Sequence, residues 1–146
     1  MKKLLVLATI VLIGFNACKK VEGEPTDQEA GVIMQKDSWR MTGYYDDGVD
    51  KLVNFTGYAF YFNADGTIRA FRNGTEHNGT WTTTQVYSLV DSTQVEGIKL
   101  QFDNVRPVSF LNKNWEVISK TTKRVQLRAQ DVAKGPFDDI FFNINY

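Results

Sequence analysis

The chain has one cysteine and one histidine in 146 residues. A single thiol forms no intramolecular disulfide, so the fold must hold itself together by packing. A Ser-His-Asp or Cys-His set would have to use His77, and Cys18 is the only thiol. A zinc site would be left with one imidazole and carboxylates. His77 lies among Asn73, Gly74, Asn78 and Gly79, turn-forming residues that predict an exposed loop. The apolar run at residues 4–15 is shorter than the about 20 residues that cross a bilayer. Nor is there an excess of charge. Seventeen Lys and Arg balance seventeen Asp and Glu, which leaves no field to attract nucleic acid. These absences predict a non-enzymatic chain without metal, cofactor or nucleic-acid partner.

What is present begins at the N-terminus. Lys2 and Lys3 precede the apolar run, and a small residue, Ala17, precedes Cys18. That order is a secretory signal, removed on export. Phe15-Asn16-Ala17-Cys18 resembles a bacterial lipobox of the looser Bacteroidetes form, in which the cysteine becomes the acylated first residue. Two or more acyl chains anchor a protein stably. The expected organisation is a signal peptide at 1–17, a lipidated Cys18 with a tether at 18–36, and one domain at 37–146. The resemblance implies an outer-membrane lipoprotein, facing either the periplasm or the medium. Lys19-Lys20-Val21-Glu22-Gly23-Glu24 is a poor match to the acidic surface-export signal.

Within the tether, Thr26 or Asp27 is positioned to cap a short helix over 28–36. Beyond it the apolar period changes to two, the mark of half-buried strands. Trp39, Met41, Gly43 and Tyr45 form one face of a first strand, with Arg40, Thr42 and Tyr44 on the other. Tyr58, Phe60 and Phe62 lead to Asn63-Ala64-Asp65-Gly66, a tight hairpin by its turn chemistry. Ile68 and Ala70 return. Residues 73–79 form the next loop, and Thr80-Trp81 opens a further strand. Residues 85–96 read as a longer connection. Ile98, Leu100 and Phe102 alternate, Pro107 interrupts, and Val108, Phe110 and Leu111 are placed to plug an end of the core. Trp115 and Val117, then Val125, Leu127 and Ala129, then Ile140, Phe142, Ile144 and Tyr146 complete about eight strands. A sheet of this length with one apolar face must close or fold on itself. An eight-stranded antiparallel up-and-down barrel is the simplest closure, and a two-sheet sandwich is the alternative.

Trp39, Phe60-x-Phe62-x-x-Asp65-Gly66-Thr67, Gly79-Thr80-Trp81, Trp115 and Val125-x-Leu127 together resemble the lipocalin-like lipoproteins of Bacteroidetes. The resemblance covers the whole domain and implies a lipocalin-like all-β barrel, with no particular activity. Residues 37–39 read Asp-Ser-Trp where true lipocalins have Gly-x-Trp, so the ligands of that family are not carried over.

Two acidic pairs, Asp46-Asp47 and Asp138-Asp139, stand beside turn residues, and strand neighbours face opposite ways, so they read as turn residues rather than a carboxylate dyad. Asn54, Asn73 and Asn78 begin glycan-acceptor tripeptides and read as turn and strand residues. The aromatics are the remaining lead. Trp39, Tyr58, Phe60, Phe62, Trp81, Phe102, Trp115 and Phe142 are all expected to face inward. If they fill space, the barrel is solid and envelope partners dock outside, with Tyr44, Tyr61 and Phe141 as candidate contacts. If the strands leave a cup, the same eight residues line a site for a small apolar or amphipathic ligand. Cys18→Ala should abolish palmitate labelling and release the protein from membranes, and carbonate extraction of metabolically labelled cells checks both.

Overall fold

Period-two alternation becomes a single antiparallel sheet that closes on itself. The structure is a computed structural model, and it describes residues 23–130 and 136–145. A short helix, α1 (Ala30–Met34), precedes β1 (Ser38–Asp46), β2 (Val49–Asp50) and a 3-10 turn, η1 (Leu52–Phe55). Then come β3 (Ala59–Phe62), β4 (Thr67–Arg72), β5 (Thr75–Tyr87) and β6 (Gln94–Phe102). A second 3-10 turn, η2 (Val108–Leu111), leads to β7 (Asn114–Lys120), β8 (Arg124–Gln130) and β9 (Phe137–Ile144). Each barrel strand pairs with the next, and β1 pairs with β9 to complete the ring. The result is a closed eight-stranded barrel with β2 as an extra strand on the flank of β1. One continuous sheet excludes the sandwich.

Connections in such a barrel alternate between its two ends. The N-terminal segment and the turns at 63–66, 88–93 and 121–123 share one end, the α1 end. The connections at 47–58, 73–74 and 103–113 share the other, the η end. Each buried tryptophan ties a plug to its end. Trp39 Nε1 donates to Met34 O at 2.8 Å, fastening the last turn of α1. Trp81 Nε1 donates to Asn63 O at 2.9 Å in the β3–β4 turn. Trp115 Nε1 donates to Leu111 O at 3.0 Å in η2. Buried indole N–H groups need such partners, and these three have them. Val108 and Leu111 are fully buried and Phe110 packs against the core, so η2 is the plug its sequence predicted.

Several details differ from the expectation. The helix is shorter than 28–36, and neither Thr26 nor Asp27 caps it. Glu96 of β6 instead accepts a hydrogen bond from Ala30 N–H, so the cap comes from the adjoining β5–β6 hairpin. Pro25 bridges to Thr121 and Glu24 O accepts from Thr122 N–H at 3.0 Å, so the chain from Gly23 onward already belongs to the barrel end rather than to a tether reaching residue 36. The 73–79 loop shrinks to a two-residue turn with positive φ at Asn73 (50°) and Gly74 (82°). The 85–96 connection is mostly strand, because β5 and β6 stay paired to Tyr87↔Gln94.

Bulges cause the largest correction. The β1–β9 register shifts between Met41 and Gly43. A bulge inserts one unpaired residue and reverses every later side chain. Tyr44 is therefore buried opposite Ile140, and Tyr45 is exposed, the reverse of the simple alternation. Gly43 permits the irregularity, since a Cβ there would sit 2.6 Å from the Phe141 ring. A second shift, between Val117 and Ser119, sets Lys120 opposite the inward Val125. Lys120 Nζ then reaches Glu96 Oε2 at 2.7 Å beneath α1. Because Trp81 is buried at the α1 end and edge-on to Phe62, Trp81→Ala should cost about 3–5 kcal/mol and lower the Tm by more than about 10 °C, as read by circular-dichroism melting.

Candidate functional site

All eight aromatics expected inside are buried. Four of them, Phe60, Phe62, Trp81 and Phe142, form a column of ring contacts with Tyr44 and with Phe55, a residue the sequence did not single out. Phe55, the last residue of η1, enters the barrel from the β1–β3 connection. Tyr44 and Phe55 meet edge-on at 4.9 Å between ring centroids. Phe55 then leans on Phe60 at 6.5 Å, and Phe60 meets Phe142 at 5.3 Å. Phe142 contacts Phe62 at 5.8 Å, and Phe62 meets Trp81 at 5.5 Å. Trp39, Phe102 and Trp115 belong to the same core. The axis is occupied by side chains from the η end to the α1 end.

The largest opening described lies on the flank instead. The β1–β3 ladder contains two pairs, Ser38↔Tyr61 and Trp39↔Phe60. Beyond them the strands part, because 47–58 folds back on itself. Lys51 N–H donates to Tyr44 O at 2.8 Å, Leu52 N–H to Asp50 Oδ1 at 2.9 Å, and Tyr58 N–H to Phe55 O at 3.1 Å. The Tyr58 donor is thereby used inside the loop rather than across to β1. The gap is an open cleft of about 510 Å³. Met41, Leu52, Tyr58 and Ala59 form its apolar part. Arg40, Thr42, Thr56 and Asn145 supply its polar groups, and no carboxylate lines it. Arg72 stands beside it, its guanidinium 4.4 Å over the Tyr58 ring.

Of the eight predicted lining residues, only Tyr58 borders this flank cleft, and Trp81 borders a smaller one beside α1. The remaining six pack in the core. The sequence missed Leu52, Ala59 and Asn145, which carry no motif, and touched Thr56 only as the end of the Asn54 tripeptide. The spacing of Leu52 and Phe55, three apart before Gly57, was the available signal of a helical turn with one apolar side. Cys18 lies outside the described residues, as does Tyr146.

His77 is in β5 rather than a loop, opposite Ala70 and half-buried. Its Nε2 lies 3.4 Å from Tyr58 Oη. The acidic pairs divide as strand geometry requires. Asp47 turns with Gly48, while Asp138 and Asp139 lie within β9 on opposite faces rather than in a turn. Asp138 is buried, pairs with Lys113 Nζ and accepts from Asp47 N–H at 2.8 Å, which pins the β1–β2 turn to the η end. Asp139 faces outward and binds Arg128 through both oxygens, at 2.8 and 3.2 Å. That hydrogen-bonded pair holds the Arg128 guanidinium above its ordinary pKa. Glu116, on the other side of Arg128, accepts from Leu89 N–H at 3.2 Å and so holds the β5–β6 turn against β7. No group of three or more His, Cys, Asp or Glu among the described residues is placed to hold a metal ion.

Comparison with family models finds no match, and comparison with curated protein sequences finds none. Among solved structures, the chain is similar to a DUF4847 family protein from Bacteroides vulgatus ATCC 8482. The TM-score is 0.51 at 18% identity, over 78% of this chain and 96% of that one. At that identity the likeness shows the barrel fold.

Among the described residues, one buried side-chain polar atom stands without a partner. Tyr44 Oη is sealed from solvent without a hydrogen-bond partner. Burial, then the charges of Asp46, Asp138 and Asp47, push its phenol well above the ordinary 10.0. An unpaired buried hydroxyl costs about 1–3 kcal/mol, so Tyr44→Phe should be neutral or stabilising in urea denaturation. The unfolded tyrosine ionises near pH 10 while the folded one does not, so wild-type stability should drain as pH rises beyond 10. Tyr44→Phe should lose less over that window, and urea midpoints measured at pH 8 and pH 11 test the difference.

Proposed function

We propose that this chain is an outer-membrane lipoprotein of the lipocalin-like Bacteroidetes type, anchored through Cys18, that holds a small amphipathic molecule in the flank cleft. The observation that carries the reading is the parting of β1 and β3 around about 510 Å³ of open space. That size falls within the range of small-molecule sites, about 300–1,000 Å³. The cleft offers an apolar patch from Met41, Leu52 and Ala59 beside the polar ends of Arg40, Thr42 and Asn145. An amphipath satisfies both. Aromatic rings fill the barrel core, which favours the flank cleft, bordered by Tyr58 alone of the eight predicted residues, as the site. The Bacteroides origin of the structural neighbour agrees with the lipobox and with the family resemblance. The role is binding rather than catalysis.

The filled axis favours a second reading, in which the barrel is a solid subunit of an envelope complex. Tyr44 is buried and offers nothing to a partner, so Tyr45, with Tyr61 and Phe141, would take its place. Crosslinking in intact membranes that yields no reproducible partner would count against this alternative.

Soluble Cys18→Ala protein incubated with total membrane lipid and examined by native mass spectrometry decides the first reading. One bound small molecule is expected, and Ala59→Trp, which fills the cleft, should reduce its occupancy at least tenfold while leaving the Tm within a few degrees. Equal occupancy in both proteins, or none in either, would refute the flank site.

A further inference from the structure

We infer that the amphipath of the flank cleft carries an anionic head group, a carboxylate or a phosphate, held by Arg40 and Asn145, with one acyl chain lying over Leu52 and Ala59 toward Phe71. This rests on the flank cleft being a binding site. Arg40 decides the charge. It lies between the inward Trp39 and Met41 of β1, so its side chain turns outward, where it lines the cleft. The side chain is exposed, and none of the ion pairs among the described residues includes it. A guanidinium offers a planar fork of donors that fits carboxylate and phosphate oxygens.

The other polar groups of the lining are mostly in use. Thr42 Oγ1 donates to Phe141 O at 3.3 Å, and Thr56 Oγ1 donates to Leu52 O at 3.3 Å. Tyr58 Oη faces His77 Nε2 at 3.4 Å. The Asn145 amide is left beside Arg40 as a side-chain donor. Further cations stand around the site. Lys51 belongs to the connection that forms one wall, and Arg72 lies over the Tyr58 ring. Asn143 of β9 pairs with Arg40 on one side and with Arg124 on the other, which brings Arg124 into the same outer row. The neighbouring acids are engaged or distant. Asp50 accepts from Leu52 N–H, Glu76 pairs with Arg69, and Asp139 pairs with Arg128. Asp46 ends β1, about 20 Å along the strand from Arg40, and Asp47 lies beyond it. Asp37, just before β1, is about 10 Å from Arg40 in the other direction.

Head and tail are separated along the cleft. Asn145 N–H donates to Ser38 O at 2.9 Å, which sets Asn145 and Arg40 on the side nearer α1. Leu52 and Thr56 form the wall nearer the η end. Ala59 faces outward from β3, and opposite it in β4 stands Phe71, 41% exposed. The apolar surface therefore continues from the cleft onto β4. A chain on that surface with an anion at Arg40 satisfies both parts, whereas a cationic head meets Arg40 as a like charge.

Four amphipaths of equal chain length distinguish the head groups. Soluble Cys18→Ala protein is titrated calorimetrically at pH 8 with dodecanoate, dodecyl phosphate, dodecyltrimethylammonium and dodecyl maltoside, each below its critical micelle concentration. Both anions should bind at least about tenfold more tightly than the maltoside, and the ammonium should bind most weakly. Arg40→Gln should cut the ratio of anion to maltoside affinity by about tenfold, and Arg40→Lys, which keeps the charge, should retain part of it. Whichever anion binds more tightly supports the inference and tells a fatty-acid source from a phosphate monoester. Ala59→Trp should weaken every amphipath that binds. If none binds, or if Ala59→Trp weakens none, the flank-cleft reading falls and this inference with it. If the maltoside or the ammonium binds as tightly as the anions, or if Arg40→Gln leaves the ratio unchanged, the inference alone is overturned.

Discussion

The structure depends on one constraint, that an eight-stranded barrel has just enough interior for one column of side chains. Here the column is aromatic and passes from Tyr44 through Phe55, Phe60, Phe142 and Phe62 to Trp81. Edge-on pairs of this kind contribute about 0.5–1.5 kcal/mol each beyond the area they bury. Six large rings from β1, η1, β3, β5 and β9 register five separate segments against one another without a disulfide. The remaining architecture accommodates this filling. η1 leaves the sheet to insert Phe55, and the departure opens the flank.

The barrel was legible because Trp39, Phe60, Phe62, Ile98, Leu100, Phe102, Val125, Leu127, Ile140 and Phe142 keep strict period two between recognisable turns. Every one of them is buried. The turn at 63–66 was legible for the same reason, since Asp65 and Gly66 have few other uses in that context. The bulges were not. Met41-Thr42-Gly43-Tyr44-Tyr45 offers a tyrosine to either face, and only the pairing with Phe141 and Ile140 decides which one enters. The short loop at 73–74 was hidden by Asn78 and Gly79. Gly79 is a strand residue whose missing side chain admits Gln101 O, only 2.5 Å from where a Cβ would be. Local composition cannot distinguish that close approach from a turn.

The flank cleft was illegible for a different reason. It is an absence of pairing, produced when the connection at 47–58 satisfies its own backbone. Asp50, Gly57 and Tyr58 each make a local contribution, and none carries a motif. A site built from a gap between strands appears only once the strands are placed. The polar cluster at the other side of the sheet is similar. Glu116, Arg128 and Asp139 are far apart in sequence and form a row because β7, β8 and β9 align them.

Closure of the ring by β1 and β9 has a consequence for how the protein is made. The pair Met41↔Phe142 joins positions about a hundred residues apart, and the column needs both. No closed sheet exists until β9 has emerged, so a chain still being synthesised has no barrel. Folding dominated by such distant contacts is slow, because the loop entropy is lost before the contacts form. The topology that makes the finished domain hard to unravel therefore also delays its folding until the last strand is available.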